Sequence, residues 1–280
     1  MIRPMTRLWV GLLAAAWAGT AGAAEIKLLS SAAMTTVLED LVPRFEKATG
    51  HKVTLVLATS GALNKRVAEG ETADLLISTG AGIDGLIKDG KLVSGSRVDI
   101  ARSGMGVAVK AGAPKPDIST PETFKQALLA AKSVAYTDPA SGGASGIHFV
   151  KVLDQLGIAA QVNAKAKLGQ GTPTADFLVK GEAELAIQQI PELKAVAGID
   201  LVGPLPPALQ NTTLLASGVL TGAQQPDVAH AFVRFLTSPE AIAVIKEKGL
   251  DPGGPARARA VPGDDESIVI GLGIPSRLRL

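Results

Sequence analysis

Short runs of aliphatic and β-branched residues alternate along this chain with segments in which apolar residues recur every three or four positions. The short runs are typical of buried strands, and the periodic segments are typical of amphipathic helices. Gly50 and Gly157 directly follow two of the periodic segments and are expected to end those helices. We expect strands at residues 26–29, 53–57, 74–78, 105–109, 134–137, 185–189 and 214–220, and helices at 34–48, 63–69, 83–88, 121–132, 147–156, 174–180, 226–236 and 239–248. This alternation predicts an α/β fold with a mainly parallel sheet.

The first residues follow a different pattern. Arg3 and Arg7 precede an apolar run over residues 8–18, and small residues follow at 21–23. This order is that of a cleaved secretory signal peptide. The apolar run is shorter than the roughly 20 residues that a membrane-spanning helix needs. We therefore expect a signal peptide over residues 1–23, cleavage near Ala23, export to the periplasm and no membrane span in the mature protein.

The helix and strand pattern ends near the C-terminus. From about Pro252 the sequence mixes proline, glycine, alternating arginine and alanine, and an acidic pair. No helical or strand period is recognisable there, and disorder concentrates at chain termini. We predict a disordered tail over residues 251–280.

The composition excludes several classes of protein and site. With 46% hydrophobic and 19% charged residues among 280, the chain is typical of a globular protein long enough for two lobes. A formal net charge of +2 gives no bulk attraction to nucleic acid. The absence of cysteine excludes disulfides, thiolate metal sites and a thiol nucleophile. Because phosphate-binding loops, dinucleotide-binding glycine motifs and histidines at metal-ligand spacing are also missing, we expect neither a cofactor nor a bound metal cation.

Small and hydroxyl residues recur where predicted strands lead into predicted helices. These turns lie at 30–33, 59–61, 141–146 and 171–174. Ligands of α/β proteins bind at the carboxyl ends of parallel strands, and the free backbone N–H groups at a helix start attract anions. Ordinary N-capping is the alternative for any single turn, because Ser and Thr are favoured there in every protein. The repetition of such turns in one chain favours a pocket for a small anion.

His148 is the histidine nearest to one of these turns. It lies about one turn inside the helix that we expect to begin at Gly146. The imidazole could face a ligand or pack against the protein, and catalysis would require a positioned partner. We expect packing unless the protein is an enzyme.

Several segments of the chain resemble the periplasmic molybdate-binding protein family. The similarity extends over about residues 26–249 and is carried by Leu-Ser-Ser-Ala-Ala-Met at 29–34, Leu-Ala-Thr-Ser-Gly-Ala-Leu at 57–63, residues 70–78, 138–139, 146–147 and 181–187. The resemblance implies the type II fold of ABC-importer binding proteins, with a ligand cleft between two α/β lobes. The first lobe would comprise residues 24–102 and 210–250, and the second residues 103–209. The implied partners are a small anionic ligand and an ABC permease, and we expect a monomer.

The family also implies a set of ligand-binding positions. Its members hold an oxyanion with two serine hydroxyls, several backbone amides and a tyrosine hydroxyl. Here Ser60 matches one serine, Ala33 stands in place of the other, and Gln189 replaces the tyrosine. Because a glutamine amide both donates and accepts hydrogen bonds, these differences favour a carboxylate ligand over tetrahedral molybdate. The expected ligand-binding residues are Ser31, Ala33, Thr59, Ser60, Ser145, Gly171 and Gln189.

Functions of different classes stay open. The first is a periplasmic binding protein of an ABC importer, which captures a molybdate-like oxyanion or a small carboxylate. The second is an isomerase, because a similar branch of the family includes a periplasmic aconitate isomerase that interconverts the cis and trans acids. Such an enzyme needs a base that moves an allylic proton, and His148 is the candidate for that role. A binding module that reports to a signalling partner is the third.

Overall fold

The structure, a computed structural model, describes residues 23–254. The strands are β1 (Glu25–Ser31), β2 (Lys52–Ala58), β3 (Leu75–Thr79), β4 (Val98–Lys110), β5 (Val134–Thr137), β6 (Ala166–Gly169), β7 (Leu185–Gln189), β8 (Ile199–Pro204), β9 (Thr212–Val219) and β10 (Asp251–Pro252). The helices are α1 (Thr35–Thr49), α2 (Ser60–Ala68), α3 (Gly80–Lys88), α4 (Pro121–Ala130), α5 (Ala144–Leu156), α6 (Ala159–Asn163), α7 (Ala175–Val179), α8 (Ile190–Lys194), α9 (Pro226–Leu236) and α10 (Pro239–Glu247). Short 3₁₀ turns, Ala32–Met34 and Pro139–Ser141, precede α1 and α5.

The strands form one continuous mixed sheet. Its order is β2-β1-β3-β9-β4-β7-β5-β6, and both β8 and β10 also pair with β4. At one end β1 is parallel to β2 and β3, and at the other end β5 is parallel to β6 and β7. In the centre β4 and β9 run antiparallel to their neighbours. The predicted mainly parallel sheet is therefore correct for each end and wrong for the centre.

The long strand β4 joins two lobes. Its first half, from Val98, pairs with β9, and its second half, from Met105, pairs with β7. Gln210 ties the returning chain to this crossing point, because its side chain accepts from the Met105 N–H at 2.9 Å and donates to the Met105 carbonyl at 2.8 Å. The α/β fold with two lobes is confirmed by this arrangement.

Each lobe has its own apolar core. In the first lobe the rings of Phe45 and Phe232 meet edge to face with centroids 4.9 Å apart. In the second lobe Tyr136 and Phe149 meet in the same way at 5.0 Å. The buried apolar residues up to Ala101 and from Leu215 onward pack together in the first lobe. Those from Met105 to Leu209 pack together in the second lobe. The lobe limits predicted from the sequence stay a prediction, which this change of core supports.

Most predicted elements are present with slightly shifted ends. The bounds of β5, β7 and α9 are those predicted. Gly50 and Gly157 end α1 and α5 in the left-handed conformation, with φ of 77° and 67°. The sequence pattern did not predict α6, α8, β6, β8 or β10, which have between two and six residues each. Elements this short contain too few residues to define a period.

The predicted tail begins too early. Asp251 and Pro252 pair antiparallel with Arg102 and Ala101 of β4. Backbone pairing needs no apolar period, which is why the sequence pattern did not reveal it. The predicted disorder from residue 251 is thus wrong at its start, and residues 255–280 lie outside the described residues. The predicted signal peptide also lies outside them, except for its last residue.

The C-terminal helices α9 and α10 are both rich in apolar residues. Among residues 23–254 no single helix is long and apolar enough to cross a membrane, and this pair meets the criterion only jointly, with a bend of 63° between its members. Phe232 of α9 and Ile245 of α10 are buried in the core of the first lobe.

Candidate functional site

The loops that follow the strands of both lobes open into one cavity. It encloses about 430 Å³ when the open space at its mouth is counted, but the space that the centre of a water-sized sphere can occupy is only about 30 Å³, so the cavity is narrow. Its walls are formed by the carboxyl ends of β1, β2, β5 and β7, the starts of α2 and α5, the loop before α7, and β9. The lining residues are Ser31, Ala32, Ala33, Thr59, Ser60, Thr137, Gly143, Ala144, Ser145, Gly171, Gln188, Gln189, Glu192, Thr213 and Leu215. All positions that the family resemblance assigned to ligand binding are among them, although binding itself stays a prediction.

The first lobe supplies hydroxyl groups and helix-start amides. Thr59 caps α2, because its Oγ1 accepts from the Ala62 N–H at 3.3 Å. Ser60 is the first residue of α2 and is 5% exposed. Ser31 and Ala33 flank the start of the 3₁₀ turn that connects β1 to α1. The Gly61 and Ala62 N–H groups are already engaged with Gly142 and Thr59, so donation from this wall to an anion rests on Ser60 and on the turn at Ala33.

The second lobe supplies the start of α5. Gly143, the residue before this helix, has no side chain to cap it. Ser145 Oγ donates to Thr137 Oγ1 at 3.1 Å, and both side chains are almost fully buried. Gly146 allows the helix to lie against β5, because a Cβ there would stand 2.1 Å from the Thr137 carbonyl oxygen. The start of α5 is therefore held firmly beside the cavity.

The lobes touch beside the cavity through glycine backbone. The Gly61 N–H donates to the Gly142 carbonyl at 3.0 Å, and the Thr59 hydroxyl donates to the Ser141 carbonyl. A Cβ at Gly61 would lie 2.7 Å from both Cα and O of Gly142, closer than side chains tolerate. This contact between α2 and the loop before α5 closes one side of the cleft.

Gln189 is held between the two crossing strands. Its Nε2 donates to Ser103 Oγ at 2.6 Å, and its Oε1 accepts from Thr213 Oγ1 at 3.1 Å. Ser103 belongs to β4 and Thr213 to β9, so the amide ties β7 to both strands at the base of the cavity. An anion could accept a hydrogen bond from Gln189 Nε2 only by replacing an acceptor there, whereas Oε1 keeps a lone pair for a protonated ligand group.

Sequence reasoning missed Glu192, which also lines the cavity. Gln188 Nε2 donates to Glu192 Oε1 at 3.1 Å, and Gln188 Oε1 accepts from the Thr174 N–H at 2.7 Å. Burial raises the pKa of the Glu192 carboxyl to about 7, and hydrogen bonds from the Gln188 side chain and the Gln189 backbone oppose that rise. The protonated and ionised forms are therefore both populated near neutral pH. The available signal was Pro191 followed by a glutamate directly after a strand, which is typical of a helix start.

The structure does not bring His148 to the cavity. Its Nε2 lies 2.8 Å from the carbonyl oxygen of Leu209, in the segment that leads into β9. The ring lines a different depression, together with Lys151 and Asn211. The ring is thus engaged with the backbone before β9, and both the packing and the catalytic reading of His148 stay predictions.

The cavity is suited to an anion and not to a cation. In the described part of the chain no group of three or more His, Cys, Asp or Glu side chains could hold a metal ion. Hydroxyl groups, the two amide side chains of Gln188 and Gln189, and helix-start N–H groups dominate the lining, and such donors bind negative charge.

Comparison with known proteins agrees with the fold. The chain is 37% identical over 233 residues to an aconitate isomerase of Pseudomonas sp, covering 81% of this chain and 87% of that protein. It is 30% identical over 258 residues to a molybdate-binding protein of Azotobacter vinelandii, covering 88% of this chain and 97% of that protein. The solved periplasmic molybdate-binding protein of Azotobacter vinelandii matches with a TM-score of 0.67 at 21% identity, covering 80% of this chain and 98% of that one.

The predicted type II binding-protein fold is confirmed by this structural similarity, and the predicted resemblance by the sequence relatives. Residues 26–251 match the family described as bacterial extracellular solute-binding proteins. The match covers most of the chain, including every strand and helix that lines the cavity. The protein belongs to the bacterial extracellular solute-binding protein family.

Proposed function

We propose that this protein captures a small anion with carboxylate groups between its lobes and presents it to an ABC permease. One observation carries the proposal: hydroxyl groups and helix-start amides from both lobes line the same cavity. The partial positive charges of these amides add up where helix starts converge. Closure of the lobes around the guest would exclude water and strengthen each hydrogen bond.

The available hydrogen bonds are sufficient for tight binding without a cationic side chain. A hydrogen bond to a charged group contributes about 1.5–3 kcal/mol net. Five or six such bonds would contribute about 8–18 kcal/mol, which spans the about 8–12 kcal/mol of micromolar to nanomolar binding and leaves a margin for desolvation and closure toward its upper end. We therefore expect a dissociation constant in the micromolar range or below.

Glu192 favours a carboxylate ligand over a tetrahedral oxyanion. An ionised Glu192 would repel any anion, molybdate or carboxylate, whereas its protonated form can donate a hydrogen bond to the ligand. The pKa of about 7 keeps the protonated form available near neutral pH. A polycarboxylate that carries one proton can also share that proton with Glu192.

The cellular context of the proposal follows the family. Export to the periplasm, cleavage near Ala23, a monomeric state and a permease partner belong to it. The relatives named above include a periplasmic molybdate-binding protein, which supports the periplasmic location. N-terminal sequencing of the secreted protein would test the cleavage position.

A thermal-shift screen tests the proposed function. The panel comprises molybdate, tungstate, sulfate, phosphate, citrate, cis-aconitate and trans-aconitate. A ligand at one hundred times its dissociation constant stabilises the folded state by about 2.7 kcal/mol, so a true ligand produces a clear shift. We expect tricarboxylates to stabilise the protein most. A shift with molybdate alone would overturn the carboxylate preference, and no shift with any anion would overturn the proposal.

A pair of serine variants localises the binding to the cleft. Ser60→Ala removes a hydroxyl from the cavity wall, and Ser119→Ala removes an exposed hydroxyl far from it. Loss of one hydrogen bond to a charged ligand costs about 1.5–3 kcal/mol, which weakens binding roughly 10- to 150-fold. Calorimetric titration should show this loss for Ser60→Ala only.

A second candidate function is aconitate isomerisation. It is favoured by the 37% identity to the aconitate isomerase of Pseudomonas sp and by the presence of a titratable carboxyl in the cavity. Incubation of the purified protein with cis-aconitate, followed by chromatographic separation of the isomers, tests it. Binding without the appearance of trans-aconitate would leave the transport receptor as the function.

A further inference from the structure

Glu192 is the one carboxyl group among the residues that line the cavity of the described chain. The other polar lining residues are Ser, Thr and Gln, which do not exchange protons near neutral pH. A reaction inside this cavity that moves a proton therefore depends on Glu192 or on a group of the ligand.

The carboxyl of Glu192 is fixed in orientation by a short chain of hydrogen bonds. Gln188 Nε2 donates to Glu192 Oε1 at 3.1 Å. Gln188 Oε1 accepts from both the N–H and the hydroxyl of Thr174, at 2.7 and 2.9 Å. Gln188 is 2% exposed and Thr174 is fully buried. Because both Gln188 groups are engaged, the amide cannot rotate without losing bonds, and Oε1 of Glu192 is held in place.

Charged neighbours do not set the protonation of Glu192. The causes of its raised pKa are burial, which raises it, and the hydrogen bonds from the Gln188 side chain and Gln189 backbone, which lower it. Helix α8 packs on α1, β4, β7, β8 and the 3₁₀ turn before α1. Three charged side chains of α1 and α8 line a separate surface depression; they are Glu39, Asp40 and Lys194.

We propose that Glu192 is the proton-transferring group of this cleft and moves an allylic proton of a bound unsaturated tricarboxylate. The inference rests on the second candidate function above. The Glu192 carboxylate removes a proton from the methylene carbon beside the double bond. The electron pair of that C–H bond delocalises over the allylic carbons and their carboxylates. The protonated Glu192 then returns the proton to the carbon at the other end of the allylic unit.

This step is balanced within the cavity. One C–H bond breaks, another forms, the double bond moves by one position and can form in the other geometry, and Glu192 ends as the carboxylate. No oxidant, metal or second substrate is consumed. A base with a pKa near the working pH is suited to both halves of the transfer, because the same group must first accept a proton and then donate one.

The position of His148 supports this assignment. Its Nε2 is engaged with the Leu209 carbonyl at 2.8 Å, and the ring lines another depression than the ligand cavity. Glu192 therefore replaces His148, the candidate from the sequence, as the base that the cleft offers.

The test compares Glu192→Gln with Glu122→Gln, the same substitution at an exposed residue in the first turn of α4. Each protein is given cis-aconitate in D₂O, and proton NMR follows both trans-aconitate formation and deuterium entry at the methylene carbon. Calorimetry measures binding of the same ligand. Where the proton on Glu192 exchanges with D₂O before it is returned, deuterium entry reports proton removal even if the original isomer is regenerated; where it does not exchange, trans-aconitate formation alone reports the transfer.

We expect Glu192→Gln to lower both rates by about 10²- to 10⁴-fold, the usual contribution of a general acid–base group, with binding changed less than about tenfold. In the parent protein kcat/KM should decrease when the pH is lowered below about 7, because Glu192 then becomes protonated. A merely structural role would not produce that profile.

Other outcomes overturn the proposal in distinguishable ways. Retained exchange in Glu192→Gln, or loss of it in His148→Gln alone, assigns the proton transfer elsewhere. A parent protein that binds cis-aconitate but neither exchanges nor isomerises it overturns the role of Glu192 and leaves the binding function standing. A parent protein that binds no tricarboxylate overturns both.

Discussion

The contact between Gly61 and Gly142 makes closure of the cleft testable by a single methyl group. Gly61 lies in the first turn of α2, and its N–H donates to the Gly142 carbonyl of the opposite lobe at 3.0 Å. In Gly61→Ala the new Cβ would stand 2.7 Å from the Gly142 Cα. Carbon atoms pack at about 3.5–4.0 Å, so the lobes would have to separate locally by about 1 Å.

The expected cost follows from the bonds lost in that separation. The Gly61–Gly142 hydrogen bond and the bond from the Thr59 hydroxyl to the Ser141 carbonyl would both lengthen or break. Each contributes about 0.5–1.5 kcal/mol net. Together they predict a loss of about 1–3 kcal/mol from the closed, ligand-bound state, which weakens binding roughly 5- to 150-fold.

The stability of the unliganded protein should not fall in parallel. Alanine is favoured over glycine within a helix by up to about 1 kcal/mol, and an open cleft leaves room for the methyl group. Calorimetric titration of the best ligand from the anion screen measures the affinity, and thermal unfolding without ligand measures the stability.

The matched control is Gly85→Ala in the interior of α3. A Cβ at Gly85 meets no atom within 4 Å, so this variant adds the same methyl group without touching the other lobe. We expect its affinity to equal that of the parent protein. Equal affinity in Gly61→Ala would refute the reasoning, since it would mean that ligand binding does not use the closed contact.

The remaining predictions concern stability. The pKa of Glu192 is about 7 in the folded state and 4.5 for a free side chain. Because the folded state holds this proton more tightly, the free energy of unfolding decreases by about 3 kcal/mol as the pH rises from about 4.5 to 7. Glu192→Gln should therefore raise the melting temperature at pH 8 and change it little at pH 4.5; parallel profiles would contradict the assigned burial. Asp74 is 5% exposed and accepts from the N–H groups of Lys27 at 2.8 Å and Gln224 at 2.7 Å. Asp74→Asn puts a donor nitrogen against one of these N–H groups and should lower the free energy of unfolding in urea by about 1–3 kcal/mol. The same substitution at the exposed Asp154 should lower it by almost nothing. Equal values would show that these bonds do not hold β1 to the start of α9.

The convergence of several helix starts on one cleft could be predicted from the sequence. Ser60 and Ser145 each follow a strand with a clear apolar run, and the order of such strands constrains where their carboxyl ends lie. The turns around Ala33 and Gly171 follow the same rule. Local sequence was informative here because the site is built from backbone at the junctions of regular elements.

The interior of the site could not be predicted in the same way. Glu192 belongs to α8, whose five residues are too few for a helical period. Its importance depends on the depth of the cavity and on the hydrogen bond from Gln188, which are tertiary facts. Gln189 does line the cavity, as the sequence suggested. Its hydrogen bond to Ser103 could not be predicted, because Ser103 lies in the first half of β4, which the sequence pattern did not reveal. An imidazole can act as a base, but the ring of His148 contacts the Leu209 carbonyl and does not line the cavity.

The central claim is that donors from both lobes enclose one carboxylate-bearing anion. A crystal structure of the purified protein with trans-aconitate at saturating concentration tests it most directly. We predict ligand carboxylate oxygens within about 3.2 Å of donors at Ser60 in the first lobe and Ser145 in the second. A ligand bound to one lobe only, or outside the cavity while the cleft stays empty, would contradict the account.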